Sequence, residues 1–331
     1  MKRIISIVVA LVATITVGAQ NIAVVSPSNS TKIYMTLDEA IKGAEAGSII
    51  YLPGGGFAVT DNAKIDKQLT IMGVSHRGDT DNSGGATNIS GNLNFIAGSS
   101  GSAVIGVYVS GNINVATPTD SVANFTMRHC NVNSVQVKNS KSSGMVINQC
   151  YLRNNNNFGN CNVRIENCIF HSAWYINGGV VDHNIITSYK ETGFVGPGTL
   201  NGLNVTTITN NCLLNPGSGI LSSSNNCIIS NNCVGAKEWG DNPQVLEEGK
   251  KWEDVFENYN SKNAVSIACS YKLITKWGKG AALDGTELGI YGGSGFDDKA
   301  LAPIPRIVSK KVAESTDGSG KLQIEVTVKA Q

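Results

Sequence analysis

A short phrase recurs along the middle of this chain and constrains its fold more than any other feature. It reads VRIENCIF at 163–170, and the variants TMRHCNV, MVINQCYL, VVDHNII, TITNNCLL and IISNNCV lie on either side of it. Aligned copies share one column of Cys or Asn: Cys130, Cys150, Cys168, Asn184, Asn211 and Asn232. The intervals are 20, 18, 16, 27 and 21 residues. Self-similarity at such a period indicates a repeat architecture.

Two apolar columns flank this column in every copy. Three positions before it stand Met127, Ile147, Ile165, Val181, Ile208 and Ile229, and two positions after it stand Val132, Leu152, Phe170, Ile186, Leu213 and Val234. We expect each copy to be one rung of parallel strands, with rungs about 4.8 Å apart and the apolar columns stacked inside as a continuous core.

We expect the Cys or Asn column itself to lie at a sharp bend between two strands. Asn suits a bend because its short polar side chain tolerates left-handed backbone geometry, and its amide can bond to the Asn one rung away. Cys behaves as a small buried hydrophobe in the same place. A sandwich of antiparallel strands would need two-residue hairpins and strict alternation, and a leucine-rich solenoid would need a dense Leu pattern. Residues 120–235 have neither.

The N-terminal part supports the same reading. In TLDEAIKGAEAGSIIYLPGGGF, Thr36 and Glu39 form a capping box for a helix over residues 36–47, and a strand follows. Over residues 32–295 the chain resembles the right-handed parallel β-helix proteins of the pectin-lyase-like superfamily, especially secreted bacterial ones. The resemblance implies an all-β solenoid whose N-terminal helix covers the open end of the coil and hides the edge of the first rung. It implies no single activity, because this superfamily holds lyases, hydrolases, esterases and non-enzymatic proteins.

The chain divides into four segments by pattern. Residues 1–19 have a basic start, an apolar run and small residues before a cleavage site after Ala19, which predicts a signal peptide. An N-terminal membrane anchor is the alternative, but the apolar run is short for a span. Residues 20–47 are a lead-in and the cap helix. Residues 48–295 carry the rungs, clearest at 120–236 and irregular from 237, with strand character returning near 267–291. Residues 296–331 predict a C-terminal hairpin, since Leu322 to Val328 alternate apolar and polar.

Export sets the expected location: periplasm, cell surface or medium, with no membrane span once the signal is removed. The formal charge of +1 argues against a nucleic-acid partner, which usually leaves a basic footprint. Only 15% of residues are charged, and Gly is abundant, which suits many short strands joined by tight turns. We expect a monomer.

Eight cysteines in an exported protein would normally indicate disulfides. Cys130, Cys150 and Cys168 share a column that accepts Asn elsewhere, so we predict stacked free thiols there. A bridge between neighbours in the column is the alternative, because the rung spacing lies within the Cα separations of disulfides. Zinc requires four converging ligands, which a linear column does not offer. Cys212 and Cys233 follow the column on adjacent rungs, and could pair.

The first candidate site is an outward column two positions before the Cys or Asn column. It reads Arg128, Asn148, Glu166, Asp182, Thr209 and Ser230. Glu166 and Asp182 are therefore predicted on adjacent rungs, where two carboxylates could share a proton, bind calcium, or act as acid and base. Arg128 and Arg164 lie near the same face. The alternative is a solvated polar face on which Arg pairs with carboxylate.

The second candidate site is the long insertion after Asn184, TSYKETGFVGPGTLNG. Tyr189 and Phe194, with the preceding Trp174 and Tyr175, could form a sugar-stacking platform beside the cation of Lys190. The alternative is that these aromatic residues only pack the loop onto the scaffold.

Two functions follow from these sites, and the sequence does not decide between them. One is a glycan-binding or structural surface protein with no recognisable catalytic motif, whose partner is polysaccharide or surface glycan. The other is an enzyme, with Glu166, Asp182 and Lys190 as catalytic candidates and Trp174, Tyr175, Tyr189, Phe194, Arg128 and Arg164 as binding residues. A lyase on a uronate glycan is favoured over a glycoside hydrolase, because no cluster of Asp pairs is present. No cofactor is assigned; calcium is the one candidate.

Overall fold

The protein is nearly all β structure, organised as large parallel sheets. The computed structural model describes residues 21–60, 63–78, 85–187, 199–214, 220–235, 237–259, 267–302, 306–313 and 315–329. The predicted signal peptide lies outside these residues. None of the helices in the described ranges is long and apolar enough to cross a membrane.

Three stacks of parallel strands, which we call A, B and C, build the body of the molecule. Successive strands of one stack are hydrogen-bonded neighbours, and the chain visits A, B and C in turn before returning to A. One such passage is a rung. Stack A comprises β3 (Ser48–Tyr51), β6 (Leu69–Met72), β9 (Ala103–Ile105), β12 (Thr126–Arg128), β15 (Met145–Asn148), β17 (Val163–Glu166), β19 (Val180–Asp182), β22 (Thr207–Thr209) and β25 (Ile228–Ser230).

Stacks B and C belong to one 14-stranded sheet, because two long strands run through both. These shared strands are β16 (Tyr151–Cys161) and β18 (Ile169–Ile176). The others in stack B are β4 (Gly55–Ala58), β7 (Thr87–Ser90), β10 (Tyr108–Val109), β13 (Asn131–Val132), β20 (Ile185–Ile186) and β23 (Cys212–Leu213). The others in stack C are β5 (Lys64–Ile65), β8 (Leu93–Phe95), β11 (Ile113–Val115), β14 (Val135–Val137), β21 (Leu200–Asn201) and β24 (Leu221–Ser222).

The register of stack A matches the sequence alignment residue by residue. Met127 pairs with Ile147, Ile147 with Ile165, Ile165 with Val181, Val181 with Ile208, and Ile208 with Ile229. The second apolar column also pairs in register in stack B, from Val132 to Leu213. Both columns are buried in one continuous hydrophobic core, with Ile229 partly buried at its end. The apolar period therefore specifies the stacking, because a slip by one residue would turn each apolar side chain outward.

The Cys and Asn column forms a buried ladder of hydrogen bonds. Asn184 donates its backbone N–H and its side-chain Nδ2–H to Oδ1 of Asn211, both at 2.9 Å, and Asn211 does the same to Asn232 at 3.0 and 2.9 Å. Each of these amides also donates to a backbone carbonyl of stack A, such as Asn211 to Val181 at 2.8 Å. At the other end, the N–H of Cys130 and of Cys150 points at the sulfur of the next Cys, at 3.4 Å.

All eight cysteines are free thiols. This agrees with the predicted stacked thiols of the column. Burial raises the pKa of Cys130 and Cys150 well above the ordinary thiol value, which disfavours the reactive thiolate. Cys212 and Cys233 are direct register partners between neighbouring rungs, as predicted, and both are buried without a bridge.

The left-handed backbone conformation predicted for the Cys and Asn column occurs instead one position earlier. The residues with positive φ are those immediately before it: His129, Gln149, Asn167, His183, Asn210 and Asn231, with φ between 51° and 58°. We call these the bend residues. The column residue turns inward and forms the ladder, whereas the bend residue takes the left-handed conformation and turns its side chain outward.

The N-terminal end contains a short helix and an antiparallel hairpin. The helix α1 (Leu37–Gly43) is capped by Thr36, which accepts the N–H of Glu39 at 3.3 Å. Strand β1 (Ile22–Val25) pairs antiparallel with β3 and with β2 (Thr31–Tyr34). The edge of β3 is thus covered by a strand, whereas the helix was predicted to hide the edge of the first rung. A paired strand satisfies the free N–H and C=O groups of an edge directly.

The described residues 237–259 and 267–302 cover the outer side of stack B. They contain a 3₁₀ turn, Trp252–Asp254, and form a second hydrophobic cluster with Tyr151, Ile169 and Ile185 of stack B. Of the strand character expected near 267–291, the described residues keep one antiparallel bridge, between Phe256 and Leu273, and otherwise form turns, bends and irregular segments. The predicted C-terminal hairpin is confirmed by antiparallel pairing of β26 (Arg306–Val312) with β27 (Ile324–Lys329).

The end of this covering segment, Ala281–Ala302, lies across the bend residues; we call it the strap. Asn231 donates to the carbonyl of Ala281 at 2.8 Å, and Asn210 accepts the N–H of Leu283 at 2.9 Å. At the far end, the N–H of Ala302 donates to Val74, just past β6, at 3.1 Å. The strap therefore runs back along the stacks toward the N-terminal end.

One exposed bend carries backbone strain that a substitution should relieve. Val205 has φ of 49° and is 61% exposed, whereas the equivalent positions on neighbouring rungs are Gly178 and Asn226. A β-branched residue is disfavoured in this conformation. We expect Val205→Asn to raise the free energy of unfolding by about 1 kcal/mol, measured by chemical denaturation. Val180→Asn, on a strand with ordinary φ, is the control and should not stabilise. An unchanged or lower midpoint for Val205→Asn would refute the assignment of strain.

Candidate functional site

A shallow surface cavity of about 430 Å³ lies on the outer side of stack C. We call it the stack C pocket. It crosses four rungs, from the turn after β11 to the end of β18, and therefore extends over about 14 Å at the usual strand spacing. Its lining is Pro118, Gln136, Val137, Lys138, Asn157, Gly159, Asn160 and Tyr175. The lining contains amides, one ammonium and one phenol ring, with no carboxylate among these described residues.

The pocket is part of a longer polar column on stack C. The residues at the same outward position pair in register from rung to rung. They are Asn94, Asn114, Gln136, Asn157, Trp174, Asn201 and Ser222. Because alternate residues of a strand face opposite sides, this column faces outward while its neighbours, such as Val135 and Val137, fill the core.

Tyr175 is held in an uncommon conformation at the edge of the pocket. Its φ is 58° and its side chain remains 39% exposed. The ring lies against Gly202 on the next rung, where an added Cβ would be 2.6 Å from Tyr175 Cδ1. Gly202 is thus needed for the ring to lie there. Residues kept in sparsely populated conformations cluster at ligand-binding positions.

The amides of the pocket are fixed by hydrogen bonds to their own scaffold. Asn157 Oδ1 accepts the N–H of Gly159 at 2.9 Å. Gln136 Nε2 donates to Ser134 Oγ at 3.0 Å and to the carbonyl of Asn155 at 2.9 Å. Within the described residues, Asn157 Nδ2 has no acceptor, so it can donate to a ligand. Preorganised donors of this kind bind hydroxyl groups with little loss of side-chain entropy.

Lys138 supplies the positive charge of the pocket. Its side chain is exposed, and its backbone N–H is fixed to Val115 of the preceding rung at 3.0 Å. Lys138 forms no ion pair with any residue that the structure describes. The ammonium is therefore available to a ligand oxygen.

The predicted carboxylate pair lies on stack A, outside the pocket. Glu166 and Asp182 are register partners on adjacent rungs, as the sequence predicts. Glu166 forms an ion pair with Arg164 of the same strand, which is the arrangement of a solvated polar face. Arg128 is exposed on the same column, paired in register with Asn148. The two carboxylates thus lie on adjacent rungs, and among the described residues Glu166 contacts Arg164 while Asp182 contacts residues of its own and the next rung.

Three groups contact the carboxylate of Asp182. Thr209 Oγ1 and Asn210 Nδ2 donate to Oδ1 at 2.8 and 2.9 Å, and His183 Nδ1 lies 2.9 Å from Oδ2. Burial alone would raise the pKa of Asp182, but the hydrogen bonds from His183, Thr209 and Asn210 hold it below the ordinary value. Asp182 therefore stays ionised, and its oxygens are occupied by the fold. No group of three or more His, Cys, Asp or Glu residues in the described ranges could hold a metal ion.

One of the predicted aromatic residues lines the stack C pocket, and a second lies on the strand beside it. Tyr175 lines it, and Trp174 pairs in register with Asn157 of the lining on one side and with Asn201 on the other. Tyr189, Lys190 and Phe194 lie outside the described residues. Thr199, the first described residue after them, lies beside stack C, because its carbonyl accepts the N–H of Ala173 at 3.1 Å.

Sequence reasoning missed Gln136, Asn157 and Gly202 as members of the site. Asn and Gln recur on every side of a rung, so nothing in the sequence distinguishes Gln136 and Asn157 from the other amide residues. The Asn201–Gly202 pair was the available signal for a tight left-handed turn, but its contact with Tyr175 depends on the register between rungs.

Comparison of the sequence with known protein families and with curated proteins finds no match to either.

Proposed function

We propose that this chain is an exported right-handed parallel β-helix protein of the pectin-lyase-like kind that binds polysaccharide on the outer side of stack C. Repeated passage through three parallel stacks supports the solenoid, and the helix α1 beside the β1–β2 hairpin is proposed as part of its N-terminal cap. The basic and apolar start of the chain supports export.

The observation that carries the binding proposal is the composition of the stack C pocket. A sugar ring presents an apolar C–H face and a rim of hydroxyl groups. Tyr175 offers an exposed ring to the former, while Asn157 Nδ2 and Lys138 offer donors to the latter. The polar column extends beyond the pocket with half-buried side chains such as Asn114 and Ser222, although its member Asn201 is buried. A linear polymer lying along the stacks would use such a repeating surface.

A lyase acting on a uronate glycan is the second candidate. It is favoured by one observation, the presence of Lys138 and Tyr175 in the same pocket. An ammonium can neutralise a uronate carboxylate. A tyrosine phenolate can take the proton from the adjacent carbon as the carbon–carbon double bond forms and the glycosidic C–O bond breaks, and the resulting phenol can give that proton to the leaving oxygen. In this mechanism the stack A residues Glu166 and Asp182 take no part.

The first experiment measures binding and turnover with one panel. The purified mature chain is incubated with neutral and uronate polysaccharides, with and without calcium, and binding is followed by affinity electrophoresis. Near-ultraviolet absorbance records unsaturated products, and a reducing-sugar assay runs beside it. Retardation without products supports the binding protein, and a rise in absorbance supports the lyase. No retardation and no products across the panel would contradict the proposal.

Substitution of Tyr175 tests the location of the site. We expect Tyr175→Ala to weaken polysaccharide binding by about 1 to 2 kcal/mol, because the ring provides the main apolar contact. Gly202→Ala should weaken binding in the same direction by displacing the ring. Tyr108→Ala is the matched control, since that ring stacks on Arg153 in stack B and lies outside the pocket. Equal binding by Tyr175→Ala and the parent protein would refute this location.

A further inference from the structure

The strap is attached by contacts spread over successive rungs, and the bend residues provide the coil-side partner in most of them. Beyond the contacts of Asn231 and Asn210, Asn167 Nδ2 donates to the carbonyls of Ile290 and Gly292 at 2.9 and 2.7 Å. Gln149 Oε1 accepts the N–H of Asp297 at 2.8 Å. These are neutral hydrogen bonds between amides. Two bend residues instead present a histidine to a strap carboxylate. His129 Nδ1 lies 3.8 Å from Asp297 Oδ2, and His183 differs from it in having a carboxylate on each side, one from the rung and one from the strap.

His183 lies between a carboxylate of the rung and a hydroxyl of the strap. Its side chain is only 4% exposed. Nδ1 is 2.9 Å from Asp182 Oδ2, and Nε2 is 3.2 Å from Thr286 Oγ1 and 3.6 Å from Asp284 Oδ1. The ring is also covered by the backbone of Gly292 and Gly293, where an added Cβ would be 2.4 and 3.2 Å from ring atoms.

The hydrogen bonds of Thr286 determine which atom carries the proton between it and the ring. Its hydroxyl donates to Asp284 Oδ1 at 2.6 Å, and the N–H of Gly293 donates to Oγ1 at 2.8 Å. The single hydroxyl proton is therefore used, so Oγ1 can only accept from His183 Nε2–H. Asp182 is ionised and can only accept from Nδ1–H. Both ring nitrogens must donate, and only the imidazolium form does so.

We infer that the His183 imidazolium is a clasp that holds the strap to the rungs, and that the strap loosens between Leu283 and Gly293 when this ring loses its proton. A neutral ring carries one proton. With the proton on Nε2 the ring loses its bond to Asp182, and with the proton on Nδ1 it can bond to Thr286 only if that hydroxyl turns away from Asp284, so one bond of the clasp is lost in either case. The neutral amide contacts at Asn167 and Gln149 hold their part of the strap whether or not the His183 ring is protonated. The device is independent of the glycan site on stack C.

The other titratable groups near the ring set the sign of the effect. Asp182 belongs to its own strand and Asp284 to the strap. Hydrogen bonds from Thr286, chiefly, hold the pKa of Asp284 below the ordinary value. Glu287 of the strap has a pKa raised by burial, and Glu166 on the neighbouring rung is paired with Arg164. The pKa values of Asp182 and Asp284 both lie below the ordinary value of 3.8. Their negative charges therefore stabilise the clasp at every pH above that value, and this stabilisation is lost only as the pH falls through the lowered pKa values. Loss of the ring proton removes the positive charge that lies between the two carboxylates, so deprotonation of the ring opens the clasp.

Hydrogen exchange read by mass spectrometry tests the clasp on the full mature chain. Protection factors, corrected for the intrinsic effect of pH, are compared at about pH 6 and about pH 9. We expect peptides within 283–293 to lose at least about tenfold in protection at the higher pH, because a charge-assisted contact is lost. Peptides of the inner strands β15 and β17 should keep theirs. Equal protection of 283–293 at both pH values would overturn the inference.

Two further measurements separate the clasp from a general loss of stability. His183→Gln should remove the pH dependence of protection in 283–293, whereas His171→Gln should retain it. Side-chain ¹⁵N NMR of the parent protein needs no variant to fold: at about pH 6 both nitrogens of His183 should carry protons. A ring with one unprotonated nitrogen under these conditions would overturn the inference.

Discussion

Replacement of Asn211 by Leu is expected to lower the free energy of unfolding by about 4 kcal/mol, the largest effect of any single substitution considered for this protein. Asn211 is fully buried, and its Oδ1 accepts both the backbone N–H and the Nδ2–H of Asn184. Leu removes this acceptor, so two buried donors lose their partner at about 2 kcal/mol each. Urea denaturation of the parent and variant proteins measures the difference.

Position 154 provides a control from a ladder at the surface. Asn154 donates to Asn133 Oδ1 at 2.7 Å, yet its side chain is exposed. Water can replace the lost partner there, so Asn154→Leu should cost less than about 1 kcal/mol. Asn211→Cys should fall between the two, because Cys occupies the same column on other rungs. If Asn211→Leu and Asn154→Leu destabilised equally, the buried ladder would not be what stabilises the stacks.

Gly292→Ala is expected to lower the free energy of unfolding by about 3 kcal/mol, near the upper end for an overpacked site. An added Cβ would lie 1.8 Å from the carbonyl of Glu287 and 2.4 Å from His183 Cδ2. Neither neighbour can move easily, because one is backbone and the other is fixed between Asp182 and Thr286. Chemical denaturation measures the stability, and hydrogen exchange should show the strap loosened near His183.

The matched control for this substitution is Gly56→Ala. Gly56 lies on strand β4 with no atom within 4 Å of an added Cβ and without a positive φ, and Ala costs less backbone entropy than Gly. It should therefore be neutral or slightly stabilising. A Gly292→Ala protein as stable as the parent would show that the strap does not pack on His183 as described.

The stack A register was predictable because it depends on a local pattern repeated with variation. Each copy places an apolar residue three positions before the Cys or Asn column, and burying that residue fixes the copy relative to its neighbours. The pairing of Glu166 with Asp182 followed from the same alignment. The C-terminal hairpin was predictable for an equally local reason, the alternation from Leu322 to Val328.

The position of the strap was not predictable, because it depends on contacts between residues far apart in the chain. Thr286 meets His183 at a separation of 103 residues, and Gly292 meets Asn167 at 125. The segment has no hydrophobic period; it is ordered by hydrogen bonds to side chains whose outward direction comes from the left-handed bends. Sequence patterns do not record such pairings, since each partner alone reads as an ordinary turn residue.

The same distinction holds for the two candidate sites. By itself the sequence determined the parallel rungs, their register and the residues that face outward, because burial of apolar side chains at a fixed period leaves few alternatives. Only the tertiary structure decided what those outward residues contact. In the folded chain Glu166 pairs with Arg164, and Asp182 contacts His183. The ring of Tyr175 lies against Gly202, in the pocket that Lys138 and Asn157 also line. Which polar groups meet depends on the stagger of neighbouring rungs and on the path of the strap, and these are properties of the folded chain as a whole.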